Sequence, residues 1–201
     1  IKKWSGEMAS FTKQAIRESF LRLLDEYPLR DITVKMIVET CGINRKSFYY
    51  HYQDIPALLE EIVMEGMDEA MAEYRSYHSL EECLDSILHQ LLEKKKPMWN
   101  IYRSVNRDVF ETGLMKLCDY VTRSYMTQLA AAYPICADDQ ELLTGFYRDE
   151  CFGLIMGWMM RGMQEDVLPS LHRLCALRRG MAEEILRRVC EERGVAFPEG
   201  K

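Results

Sequence analysis

Arg45, Lys46, Ser47, Tyr49, Tyr50 and His51 put six hydrogen-bonding side chains into seven consecutive positions. Guanidinium, ammonium, hydroxyl and imidazole groups are what phosphate oxygens accept from. Arg and Lys also match the acceptor edge of guanine. No acidic residue interrupts the stretch from Cys41 to Gln53, so the local charge is positive. The remaining aromatics, Phe48 and Tyr52, lie four apart and share one helix face. They are expected to pack inward, which leaves Tyr49 and Tyr50 outside.

Other chemistry is thin. Asp85 and His89 share a helix face, but no second Asp-His set accompanies them, so no metal is expected. His51, His78, His89 and His172 are scattered. No nucleophile with its base and no phosphate-cradling glycine loop is present. An enzyme is therefore not expected, and no cofactor is implied. Lys94-Lys95-Lys96 reads as a helix end, where cations suit the dipole.

Helical periodicity must position the basic cluster. The first helix is expected from about Ser10 to Tyr27, ended by Pro28. Thr33 is a good N-cap for a short helix carrying Val34, Ile37, Val38 and Cys41 at i, i+3, i+4 and i+7. Cys41-Gly42-Ile43-Asn44 then has the length of a helix-turn-helix turn, with Gly42 supplying the left-handed residue. Asn44 caps the helix that bears the cluster, through Tyr52. Asp54 caps a longer one, with Pro56 tolerated in its first turn. Ser79-Leu80-Glu81-Glu82 is a capping box, and Pro97 is expected to stop the helix behind it. A short segment from Met98 to Val105 leads to a helix over about 107–133, broken by Pro134. Asp138 caps another, to about Gln164. Pro169 opens a last helix to about Glu192. No convincing strand is found, so the fold class is all-α.

Composition bounds the reading. The chain has 201 residues and a formal net charge of −6. The first 55 residues hold 9 basic and 7 acidic side chains, a balance of +2, and the rest hold 17 and 25, a balance of −8. Acidity thus belongs to the larger part, and the basic potential is confined to one end. Seven cysteines without a C-x-x-C pair suit a reducing compartment, so the protein is expected to be cytoplasmic. The opening Ile1-Lys2-Lys3-Trp4-Ser5-Gly6 has no apolar signal core and no initiator methionine, which reads as a trimmed or tagged start. No apolar run approaches a membrane span.

The stretch from Ile32 to Tyr52, with Gly42-Ile43-Asn44-Arg45-Lys46-Ser47-Phe48-Tyr49-Tyr50-His51-Tyr52 at its heart, resembles the helix-turn-helix of the TetR family. Asp54-Ile55-Pro56-Ala57-Leu58-Leu59 resembles its flank. The Asn44-Arg45-Lys46 version is similar to the branch that includes regulators of dihydroxyacetone kinase operons. The resemblance implies a three-helix DNA-binding domain over residues 1–55. A larger helical domain over residues 56–201 would bind an effector and dimerise.

It also implies roles. Thr33 would hold a phosphate. Arg45, Lys46 and Ser47 would face the major groove, and Tyr49, Tyr50 and His51 would contact phosphates or bases. Lys35 and Asn44 complete the DNA-facing set. Ile55 stands where many members carry a phosphate-anchoring Lys. Gly153, Leu154, Gly157 and Trp158 on one long helix, with Leu174, Arg178, Met181 and Ile185 on the next, would form the dimer interface. His89, Trp99, Tyr102, Phe110, Tyr125 and Tyr147 are effector-pocket candidates. The implied function is a dimeric, operator-binding regulator, a repressor controlled by a small-molecule effector. The alternative is an activator or adaptor whose C-terminal domain binds a partner protein instead.

Overall fold

The computed structural model describes residues 2–74, 79–104, 106–164 and 167–196. His78 and Val105 lie outside the described residues. Ten α-helices occur among them: α1 (Lys2–Glu26), α2 (Val34–Cys41), α3 (Arg45–His51), α4 (Ile55–Tyr74), α5 (Leu80–Glu93), α6 (Lys95–Tyr102), α7 (Arg107–Ala132), α8 (Ala137–Met160), α9 (Val167–Leu177) and α10 (Met181–Glu192). No strand is found among the described residues, in keeping with the all-α expectation.

The helices cluster into two compact units. One comprises the chain up to Gly66 together with Lys94–Gly113. The other comprises Met67–Glu93 and the chain from Leu114 onward.

In the first unit, Ile16, Phe20, Leu23 and Leu24 form the buried stripe of α1 at helical spacing. That stripe packs on α2, α3 and α6. Ile37, Val38, Phe48, Leu58 and Leu59 close the core. Helix α6 is a departure from the expected stop and loose connector. Pro97 falls in its first turn, where a missing N–H costs nothing. Ile101 and Tyr102 are buried. The Asn100 amide donates to the carbonyls of Leu24 (2.7 Å) and Tyr27 (3.3 Å), supplying partners to the last turn of α1.

The second unit is cored by Leu84 and Leu88 of α5, Leu117 and Val121 of α7, and Ile155, Trp158 and Met159 of α8. The buried Thr122 and Thr144 hydroxyls donate to the carbonyls of Cys118 and Gln140, both at 2.7 Å. Burial pushes the Cys83 and Cys118 thiols up to about 12, so they stay neutral and act as small hydrophobes.

Two boundaries differ from the sequence reading. Helix α8 is capped by Cys136, whose sulfur accepts from Asp139 N–H, and ends at Met160. There Gly162 and Met163 take left-handed φ values of 83° and 52°. Met163 is held in that strained conformation by complete burial of its side chain. The expected last helix is two, because Gly180 at φ 82° breaks the chain between α9 and α10.

Gly66 sits inside α4 with nothing within 4 Å of the position a Cβ would take. Glycine within a helix costs about 0.5–1 kcal/mol relative to alanine. Gly66→Ala should raise the melting temperature by about 1–3 °C in a thermal scan. A fall would show that the position needs glycine for another reason.

Candidate nucleic-acid interface

The turn that presents the basic cluster is built by local chemistry. Thr33 Oγ1 accepts from Met36 N–H at 3.3 Å, so the first turn of α2 is capped as expected. Gly42 adopts φ 73° and ends α2. Asn44 Oδ1 accepts from the Ser47 N–H (2.9 Å) and the Ser47 hydroxyl (3.2 Å), starting α3. Asn44 and Ser47 are therefore engaged with each other at the helix start, Ser47 half-buried and Asn44 exposed.

Arg45, Lys46, Tyr49 and Tyr50 occupy i, i+1, i+4 and i+5 and form one outward strip. Tyr50 is 80% exposed and Tyr49 56%. So much exposed aromatic surface beside two cations suits a surface awaiting a partner. Behind the strip, Phe48 and Tyr52 are buried with ring centroids 5.9 Å apart. His51 is half-buried, its ring edge-on to Tyr50 at 5.1 Å. Lys35 is exposed and pairs with Glu39 on its own helix at 3.7 Å. Ile55, half-buried, is the first residue of α4, which Asp54 Oδ1 caps through Ala57 N–H at 2.8 Å.

A charged network behind the strip is absent from the sequence reading. The Tyr52 hydroxyl donates to Glu61 at 2.7 Å. Lys13 pairs with Glu61 at 2.7 Å, and Arg17 pairs with Glu61 at 3.6 Å and with Glu65. Burial pulls the Glu61 carboxyl upward, but the Lys13 and Tyr52 hydrogen bonds outweigh it and hold the group below the usual carboxylate range. Burial, then the Glu61 partner, pushes the Tyr52 phenol far up, so its proton stays available for donation. The only sequence trace of this network is that Lys13/Arg17 and Glu61/Glu65 are both spaced by four.

Residues 16–62 match the profile described as bacterial regulatory proteins, tetR family, and residues 78–180 match the one described as transcriptional regulator C-terminal region. The chain belongs to the TetR family. It is thus a DNA-binding transcriptional regulator and not an enzyme. An HTH-type transcriptional regulator of Staphylococcus aureus strain MRSA252 is 25% identical over 145 residues, 70% of this chain and 76% of its own length. The counterpart from strain USA300 matches to the same extent. The solved dihydroxyacetone kinase operon activator DhaS shares the fold with a TM-score of 0.69 at 18% identity, over 83% of this chain and 93% of that one. The fatty acid degradation regulator FadR from Bacillus halodurans does so at 0.57 and 15%, over 81% and 93%.

The remaining TetR-type candidates are distributed as follows. Trp99, Tyr102 and Phe110 lie in the unit that carries the helix-turn-helix, and His89, Tyr125 and Tyr147 in the other. Phe110 and Tyr102 are buried, and Trp99 stacks on Tyr102 at 5.7 Å. Tyr125 meets Tyr147 edge-on at 6.1 Å. The second unit also has an open cleft of about 790 Å³ lined by Met71, Met115, Tyr120, Arg123, Ser124 and Arg148 among others. None of the six effector candidates lines it.

His89 Nδ1 lies 2.9 Å from the Asp85 carbonyl and 3.2 Å from its carboxylate. His172, which lies 87 residues from Asp85, meets that carboxylate at 2.5 Å. Among the described residues no group of three or more His, Cys, Asp or Glu side chains is arranged to hold a metal ion.

Of the interface candidates, Trp158 is fully buried within its own unit, so a partner chain would not touch it. A large aromatic on an apolar helix is covered from inside first. Arg178 pairs with Glu150 at 2.5 Å and stands over the Tyr147 ring, and is therefore engaged within the chain. Gly153 is exposed with nothing near its Cβ position, and a Cβ at Gly157 would meet only Arg161 Nη1, at 3.3 Å. Leu154 and Met181 are exposed, and Leu174 and Ile185 half-buried.

Proposed function

We propose that the chain is a sequence-specific operator-binding regulator that acts as a homodimer in the cytoplasm. The observation that carries this reading is the outward strip of Arg45, Lys46, Tyr49 and Tyr50 on a capped helix, held from behind by Phe48 and Tyr52. Thr33, Lys35, Asn44, Ser47 and His51 flank it and supply phosphate contacts or hold the strip in place. A DNA-binding part ending near residue 55 and an effector and dimerisation part after it remain the functional division proposed here. No described helix is long and apolar enough to cross a membrane.

Dimerisation is supported by α8. Leu142 is 72% and Phe146 56% exposed, and with Gly153, Gly157 and Met160 they share one face of α8, which Asp149 interrupts. Mid-helix glycines that no intrachain neighbour requires favour close approach of a partner helix. Leu154, Leu174, Met181 and Ile185 would border the contact.

The effector is proposed to be a small molecule. The open cleft of about 790 Å³ has the volume of a ligand site and would receive it. Tyr120 lines that cleft and would be its aromatic neighbour. The effector would shift operator affinity by binding one DNA-binding state better than another. Repression follows from occlusion of the operator. The likeness in fold to DhaS supports the branch that the Asn44-Arg45-Lys46 turn resembles, although that relative is named an activator.

The test is selection of bound duplexes from genomic fragments. A palindromic motif with half-sites one or more helical turns apart is expected. Recovery without a shared motif would remove the operator reading. Transcription from a promoter carrying the motif should rise when the protein is deleted, and a fall would make it an activator.

A further inference from the structure

Helix α3 has only seven residues, too few to hold its own conformation in water. Its start is fixed by the Asn44 cap and its middle by buried Phe48. Its close backbone neighbours among the described residues are α2 and α1. Its far end is held differently. Tyr52, the residue that caps α3, reaches α4 through its hydroxyl, which donates to Glu61 at 2.7 Å. The other Glu61 oxygen receives Lys13 of α1 at 2.7 Å, and Arg17 stands 3.6 Å from the first. The carboxylate is thus contacted from three sides.

We propose that Glu61 is a positioning residue for operator recognition: it fixes the end of α3 through Tyr52 and so sets how the outward strip meets the bases. This rests on the reading of α3 as the operator-contacting helix. A phenylalanine at position 52 would bury the same ring, so the hydroxyl adds direction and not packing. A hydrogen bond to a carboxylate is short and strong, which suits it to holding an angle. Base-edge hydrogen bonds fail with small misplacement of the donor. Attraction to phosphates tolerates it, because it is a field effect without sequence content. Loosening α3 should therefore cost preference among sequences and leave general DNA affinity in place.

The experiment uses the full-length chain and two probes: a duplex selected by the wild-type protein and a scrambled duplex of the same length. Tyr52→Phe and Glu61→Ala should lower the preference for the selected duplex about tenfold. Affinity for the scrambled duplex should stay within about twofold, with an unchanged salt slope. Glu61→Gln, whose amide oxygen still accepts from Tyr52, should retain most of the preference. Wild-type preference in Tyr52→Phe overturns the proposal, as does a parallel fall on both duplexes. Should Glu61→Ala not fold, Tyr52→Phe decides, since it keeps the buried ring. Lys46→Ala in the same assay separates the two readings. If it too binds as wild type, the assignment of α3 fails along with this proposal. If Lys46→Ala weakens binding and Tyr52→Phe does not, only the role of Glu61 fails.

Discussion

Replacing Lys46 and Tyr50 together by alanine should weaken binding to a selected operator about 100-fold or more while leaving the melting temperature unchanged. Both side chains are exposed on α3 and share one outward face. Lys46 carries a charge that phosphate or a guanine edge would accept from. Tyr50 presents a hydroxyl at the end of a ring that is 80% exposed. Losing one phosphate or base contact costs about 1–3 kcal/mol, roughly tenfold or more for each residue. Substitution of exposed residues typically moves stability by only about ±0.5 kcal/mol. Fluorescence anisotropy at several salt concentrations checks the first part and a thermal scan the second. Unchanged operator affinity in the double variant at physiological salt would remove α3 from the interface. A coincident loss of stability would mean that the strip serves the fold.

Gly153→Arg should convert the proposed dimer into a monomer and lower operator affinity by about 10²–10⁴-fold. The size follows from effective concentration: once one half-site is bound, the second binding event is intramolecular only if the chains are paired. Gly153 is exposed and has nothing within 4 Å of its Cβ position within the chain, so a side chain can leave the helix there without a clash at its Cβ. Its bulk and charge would fall between two helices that approach closely only where side chains are small. The Gly66→Ala variant is the control, since it changes an exposed glycine inside another helix, α4, and should leave the oligomeric state alone. Analytical ultracentrifugation at micromolar concentration measures the first effect and anisotropy the second. A wild-type monomer would remove the dimer reading, and a Gly153→Arg dimer would place the contact elsewhere. Trp158 is no test of the interface: it is fully buried, and its loss would act through the core.

The two variants probe features of different legibility. The helix-turn-helix can be read from the chain because its determinants are near neighbours. The Thr33 cap, the left-handed Gly42, the Asn44 cap and the Phe48/Tyr52 face all act within five residues of their partners. The glycines of α8 were legible as a stripe, but the burial of Trp158 beside them was not. Adjacent positions on a helix point about 100° apart, and only the neighbouring helices decide which of them is covered. Helix α6 was misread as a connector because Pro97 is as compatible with a first turn as with a stop. Burial of Ile101 and Tyr102 and the reach of Asn100 to α1 settle which it is.

The amino-acid sequence by itself determined the family, the all-helical class, the outward strip of α3 and the confinement of positive charge to one end, because caps, turn residues and the 3.6-residue period are local signals. Only the tertiary structure decided that Glu61 would receive Tyr52, Lys13 and Arg17 together. The same holds for His172 at Asp85, for Arg178 at Glu150, and for the separation of the six aromatic and histidine candidates between two units. Those partners are tens of residues apart, or sit on helices whose relative rotation is set by packing, and no spacing along the chain encodes that rotation.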